Sequence, residues 1–238
     1  MSGPNLAPPH CGSIATCQFC TKDYEGRVIL ETANFVAIAG LGPLAEGYVL
    51  VVTRVHVSCI AAAPTAWGDE LEELRRTIAT AQRGVYGASF FFEHGRSGAC
   101  LPEGEGEDHC YHAHLHLVAS AVDLPAAVSQ DHRLVPLRDW QHLIDHYAQD
   151  PLPYIMVERA NGGIGYVPTP KKLPRHYLRT KTAELLGVPE LADWMAFPRL
   201  DVVERGRSRL SAVIAGAEPR RSGHGHPVDQ PPDRWDQR

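Results

Sequence analysis

The chain has 238 residues, 44% of them hydrophobic and 21% charged, with a net charge of −5. That is enough for one domain of about 150–200 residues with extensions. The charge balance excludes a broad basic nucleic-acid surface, and no apolar run approaches the ~18 residues of a membrane helix, so neither a stable nucleic-acid partner nor a membrane is expected.

Residues 1–12 carry three prolines and two glycines without periodicity and read as a flexible lead-in. Met1 to Thr16 lacks a basic start followed by an apolar core, so no secretory signal is read there and a cytoplasmic protein is expected. Cys17-Gln18-Phe19-Cys20 follows. A two-residue spacer lets two thiolates turn onto one zinc ion, but zinc wants four ligands, so this is half a site. The same spacing also suits a redox pair or two buried thiols. Six cysteines are too few for a disulfide scaffold, and Cys100 and Cys110 are expected to be free thiols.

Val28–Glu31 and Phe35–Ala39 read as strands around a turn at 32–34. Gly40 to Gly47 is a loop, and Tyr48–Val52 a buried strand ending near Arg54 and His56. Pro64 to Tyr86 reads as an amphipathic helix, because Trp67, Leu71, Leu74, Ile78, Ala81 and Val85 recur at three- and four-residue intervals. Ala88–Phe92 is a buried strand that runs into Glu93-His94-Gly95. Glu103, Glu105, Glu107 and Asp108 sit in a long loop, which reads as a solvated acidic loop or a magnesium site.

Then comes His112-Ala113-His114-Leu115-His116-Leu117-Val118. A strand repeats every two residues, so three imidazoles share one face while Ala113, Leu115 and Leu117 enter the core. A metal site with two or three imidazole ligands would explain such a row. So would a nucleophilic histidine held between two helpers. Asp139–Tyr147 reads as a helix, Pro153–Glu158 and Gly163–Val167 as a hairpin around Asn161-Gly162, and Tyr177–Leu186 as a helix stopped by Gly187. Lys171, Lys172, Arg175, His176, Arg179 and Lys181 form a basic run. From Ala215 onward the composition is that of a disordered tail. The expected organisation is a lead-in (1–12), a catalytic domain (13–125), a C-terminal extension packing on it (126–214) and a tail (215–238).

His-x-His-x-His followed by apolar residues, with CxFC upstream and Gly47 and His56 bracketing an apolar strand, resembles the histidine-triad (HIT) superfamily of nucleotidyl hydrolases and transferases. Pro174-Arg175-His176-Tyr177-Leu178-Arg179 and the segment after it resemble larger bacterial members. Those are related to dinucleoside-polyphosphate-cleaving enzymes and to galactose-1-phosphate uridylyltransferase. The resemblance implies an α+β, HIT-like fold: a mainly antiparallel sheet of about five strands with a packed helix, plus a C-terminal hairpin and helix. It implies a homodimer and a structural zinc on Cys17, Cys20, His56 and His112. No organic cofactor is expected.

His114 would be the nucleophile, forming a covalent nucleotidyl-histidine at the α-phosphate of a nucleotide conjugate, with His116 on a non-bridging oxygen. Arg54, His94, His109, Arg175 and Arg179 are the candidates for holding phosphate or substrate. Many members carry a ribose-binding aspartate where this chain has Gly40, and close relatives carry a serine where it has His109. Two alternatives stand beside hydrolysis or transfer. One is a dinucleoside-polyphosphate phosphorylase. The other is an inactive, zinc-ordered module that binds nucleotides or serves RNA processing.

Overall fold

The computed structural model describes residues 17–97, 111–159, 162–169, 173–174 and 176–217. Its strands are β1 (Val28–Glu31), β2 (Phe35–Ala39), β3 (Val49–Thr53), β4 (Phe90–Gly95), β5 (His114–Val118), β6 (Val135–Leu137), β7 (Tyr154–Glu158) and β8 (Ile164–Pro168). Its helices are α1 (Gly68–Tyr86), α2 (Leu124–Ser129), α3 (Trp140–Gln149), α4 (Tyr177–Leu185) and α5 (Leu200–Ala217). The class is α+β: all eight strands form one antiparallel sheet in the order β1-β2-β3-β5-β4-β7-β8-β6.

Eight strands replace the expected five or so because the C-terminal hairpin does not stand apart. β7 pairs with the free edge of β4, from Phe92↔Val157 to Gly95↔Tyr154. β6 then pairs with β8 and closes that side. β6 is only three residues long and centres on Pro136, which lacks an N–H and therefore suits an edge strand.

Strand alternation sorts the two faces. Phe35, Ala37, Val49, Val51, Leu115, Leu117 and Met156 point to one side, against Leu71, Leu74 and Ile78 of α1, Leu143 of α3 and Leu210 of α5. Phe90, Phe92, Val118, Ile155 and Val157 point to the other, against Leu124 and Val128 of α2 and Leu178 of α4. The cross-strand pair Phe92↔His116 puts the imidazoles on this second side. Leu115 and Leu117, between them, are buried on the first.

Helix α1 begins four residues after Pro64, behind a 3₁₀ turn at Thr65–Trp67, and stops at Gly87, whose φ of 86° few side chains tolerate. Its Glu70 accepts hydrogen bonds from the backbone N–H (2.7 Å) and the side-chain amide (2.6 Å) of Asn34, tying the β1–β2 turn to the helix. Gln82, fully buried, donates to the carbonyls of Gly47 and Leu117 and so fastens α1 to the triad strand. Helix α5 has no counterpart in the sequence expectations, and it runs to Ala217, into the segment whose composition reads as a tail.

A buried pair holds the turn that follows His56. Glu93 accepts from the Ile60 N–H (2.8 Å) and from the Tyr154 hydroxyl (2.6 Å), which itself accepts from the Ala61 N–H (3.1 Å). Burial pushes the Glu93 carboxyl up to about 7. Because the folded value lies above that of the unfolded chain, this group's contribution is fully present below about pH 4.5 and is lost as pH rises through 7. Glu93→Gln, which cannot ionise, is therefore expected to gain on the wild type by roughly 3 kcal/mol between pH 4.5 and pH 8. Urea unfolding at the two pH values checks this, and a difference that does not change with pH counts against it.

Candidate functional site

Four of the sequence-nominated residues meet where the N-terminal segment crosses the start of the triad strand. Cys17 Sγ lies 3.3 Å from His112 Nδ1, and Cys20 Sγ lies 3.1 Å from His56 Nδ1 and 3.6 Å from His112 Nδ1. All four donor atoms lie within 4.8 Å of one another. The Cys17-x-x-Cys20 turn supplies two; the carbonyl of Cys17 accepts from the N–H groups of Cys20 and Thr21, which closes it. His56 comes from the loop after β3, and His112 from the residues just before β5.

These donors fit zinc. Bonds of about 2.3 Å to sulfur and 2.0–2.1 Å to nitrogen in a tetrahedron require ligand–ligand edges of roughly 3.3–3.8 Å, close to the separations found. The histidine tautomer also fits. His112 Nε2 lies 2.8 Å from the Thr53 carbonyl and 3.0 Å from its hydroxyl, so the proton sits there and the Nδ1 lone pair faces the sulfurs. Burial pushes His112 down to about 4 and lowers His56, favouring the neutral rings a metal needs. Two sulfurs and two imidazole nitrogens make up the four donors of a tetrahedral zinc site.

His114 follows two residues later, half-buried. Its Nδ1 lies 2.7 Å from the carbonyl of His112 and donates to it, which leaves the Nε2 lone pair free. Burial holds this imidazole below its ordinary value, against the pull of the His112 carbonyl. Phe19, held between the two cysteines, sets its ring centre 5.3 Å from those of both His112 and His114.

His116, buried, lies with its ring 4.5 Å from Phe92 and almost parallel to it. Its Nδ1 is 2.5 Å from the Tyr48 hydroxyl, and its Nε2 is buried with no partner. His94 stands perpendicular to it at 6.1 Å. The Leu178 N–H, in the first turn of α4, donates to His94 Nε2 (3.0 Å), so the ring proton lies on Nδ1, which is likewise buried without a partner. Burial, then the neighbouring His114 and His176, pushes His94 down to about 3. Burial first, then His114, His94, Arg179 and His176, puts His116 well below its ordinary value. The imidazoles of His94, His114 and His116 are thus all held below their ordinary values, and the Nδ1–H of His94 and the Nε2 of His116 have no hydrogen-bond partner among the described residues.

The two described arginine candidates do not open onto this pocket. Arg54 is exposed and pairs with Glu31 at 3.4 Å. Arg179 is buried, and its N–H groups go to the carbonyls of Gly42, Leu191 and Ala192 and to the Tyr48 hydroxyl. Its reach to the site is through Tyr48. His109 and Arg175 lie outside the described residues, as do Cys100, Cys110, Lys171, Lys172 and the acidic loop 103–108.

Sequence reasoning did not single out Tyr48, His176 or Phe92. Tyr48 carried one legible signal. Its partner on the neighbouring strand is Gly40, whose N–H donates to the Tyr48 carbonyl (3.1 Å), and a β-carbon at Gly40 would come within 2.4 Å of the tyrosine ring. The ring fills the place of a side chain at residue 40, the position the resemblance assigns to a ribose-binding carboxylate.

No family model matches the chain, and no curated protein does. Solved structures similar to it include a Hit-like protein involved in cell-cycle regulation from Bartonella henselae, 16% identical, covering 46% of this chain and 78% of that one at a TM-score of 0.35. A zinc-bound histidine triad family protein from Mycobacterium smegmatis is 21% identical and covers 44% and 76%, at 0.33. A HIT family hydrolase from Clostridium thermocellum is 13% identical and covers 48% and 94%, at 0.31. The HIT-family proteins among these neighbours each match less than half of this chain.

Proposed function

We propose that the chain is a histidine-triad nucleotidyl hydrolase or transferase that cleaves at the α-phosphate of a nucleotide conjugate. The observation that carries this reading is His114, whose Nδ1–H is committed to the His112 carbonyl, which leaves its Nε2 lone pair free in the same cluster as the unpartnered ring nitrogens of His116 and His94. In this reading the His114 Nε2 lone pair forms a bond to phosphorus while the bond to the leaving group breaks with its electron pair. Water or a second acceptor then breaks the phosphorus–nitrogen bond and restores the imidazole.

The Nε2–H of His116 and the Nδ1–H of His94 take the non-bridging oxygens as charge builds there. Both donors are neutral and already in place, so they need no reorganisation during the reaction. Cys17, Cys20, His56 and His112 would hold a structural zinc, which when bound orders the N-terminal turn against the triad strand. The Tyr48 ring over Gly40 supports a substrate that is not gripped through a carboxylate at that position.

The test is a turnover screen of nucleotide conjugates, with products identified by mass spectrometry, in the presence and absence of inorganic phosphate. Release of a nucleoside monophosphate in water is the expected result. Products that appear only with phosphate identify a phosphorylase, and no turnover of any conjugate favours the binding module.

A further inference from the structure

We propose that Tyr48, backed by Arg179, is a positioning residue that fixes His116 as the neutral Nε2–H tautomer and aims that proton into the pocket. The inference rests on the nucleotidyl-transfer reading and deepens it.

Three contacts carry it. Tyr48 is buried, and its ring is packed over Gly40, which fixes the position of the phenol. Its hydroxyl lies 2.5 Å from His116 Nδ1. Arg179 Nη1 lies 3.3 Å from the same oxygen, with the guanidinium carbon 5.6 Å from the ring centre. A guanidinium can only donate, so the phenol oxygen accepts from it; in the proposed arrangement the phenol gives its own proton to His116 Nδ1. An imidazole that accepts at Nδ1 carries its hydrogen on Nε2, the atom that is buried without a partner.

Arg179 is in turn held by the carbonyls of Gly42, Leu191 and Ala192, from the β2–β3 loop and the turn after α4. Helix α4 therefore reaches His116 through one phenol. His94 is oriented separately by the Leu178 N–H of the same helix. The two oxyanion donors thus depend on α4 by two independent routes. Orientation of a ring that supplies a transition-state donor is what such an outer contact provides.

Tyr48→Phe keeps the ring over Gly40 and removes only the hydroxyl. Two readouts test the proposal. The first is the imidazole nitrogen spectrum of ¹⁵N-histidine-labelled protein at pH 7, without substrate. The wild type is expected to show His116 as a single Nε2–H tautomer with a hydrogen-bonded Nδ1, and Tyr48→Phe to shift the Nδ1 resonance. The second is kinetics on any conjugate the wild type turns over. Here kcat and kcat/KM are expected to fall together by about 10-fold or more, with KM within a factor of about two.

A wild-type spectrum showing the Nδ1–H tautomer or an imidazolium overturns the proposal. So does a Tyr48→Phe protein with an unmoved Nδ1 resonance and full kcat. The expected spectra in a protein that turns over no conjugate would leave the relay standing and remove the nucleotidyl-transfer reading instead.

Discussion

His114→Ala is expected to keep its fold and its bound metal and to lose turnover by roughly 10⁴-fold or more. The size of the effect follows from the Nε2 lone pair of His114 being free while its neighbours' ring nitrogens are engaged otherwise. His116 has its Nδ1 against Tyr48, His94 has its Nε2 against the Leu178 N–H, and His112 faces the two sulfurs. None of these can take over the attack from where it sits. The cost in stability is small for an equally local reason. The side-chain hydrogen bond His114 makes among the described residues runs to the carbonyl two residues earlier, and such a bond is worth about 1 kcal/mol net. The strand is held by Leu115 and Leu117 on its other face. Removing a donor is expected to be milder: His116→Ala should lose about 10²–10³-fold, the size seen when one oxyanion donor is deleted. Rates, melting curves and metal content on the purified variants check both, and full activity in His114→Ala contradicts the mechanism.

Stripping the metal, by a chelator or by Cys20→Ser, is expected to lower the melting temperature by about 10 °C or more. Zinc-finger peptides draw about 10–16 kcal/mol from a structural zinc, but they have little core of their own. Here α1 and α3 pack on the sheet without the site, so the loss is a fraction of that, several kcal/mol, at about 2–4 °C for each. The damage should also be local. Residues 17–24 belong to no strand of the sheet. They are held by the sulfur–imidazole cluster, by Phe19 against His112 and His114, and by Tyr24 in a small cluster with Val36, Ile38 and Val52. Hydrogen exchange is expected to rise over 17–24 and 53–57 and to stay slow in α1. Turnover should fall with it, because the carbonyl that orients His114 belongs to His112. A metal-free protein with an unchanged melting temperature contradicts the assignment.

Much of this was legible in the sequence, because local periodicity was strong where the site is built. Alternation at 112–118 correctly divided imidazoles from core residues, since a strand has only two faces. The apolar stripe of α1 was equally plain. Helix α5 carries Gly206 and Gly216, and glycine weakens a helical pattern. In the fold Gly206 is where α5 crosses the loop before β3, and a β-carbon there would lie 2.7 Å from the Gly47 nitrogen. Arg179 read as a candidate phosphate ligand because the segment around it resembles larger triad proteins. Tyr177, Leu178, Arg179, Thr182 and Ala183 are all buried, so the arginine lies on the inner face of α4, where it donates to backbone carbonyls. A buried arginine looks like an exposed one until the elements around it are placed. The strand count failed for a similar reason, since nothing local to residues 153–168 says which sheet edge the hairpin will join.

The most direct measurement is mass spectrometry of protein mixed with a conjugate it turns over and quenched in alkali, where a phosphorus–nitrogen bond survives better than in acid. The expected result is a protein heavier by one nucleotidyl group, with the added mass on the peptide containing His114 and absent from His114→Ala. Turnover with no adduct, or an adduct on any other residue, would contradict the central claim that His114 is the nucleophile.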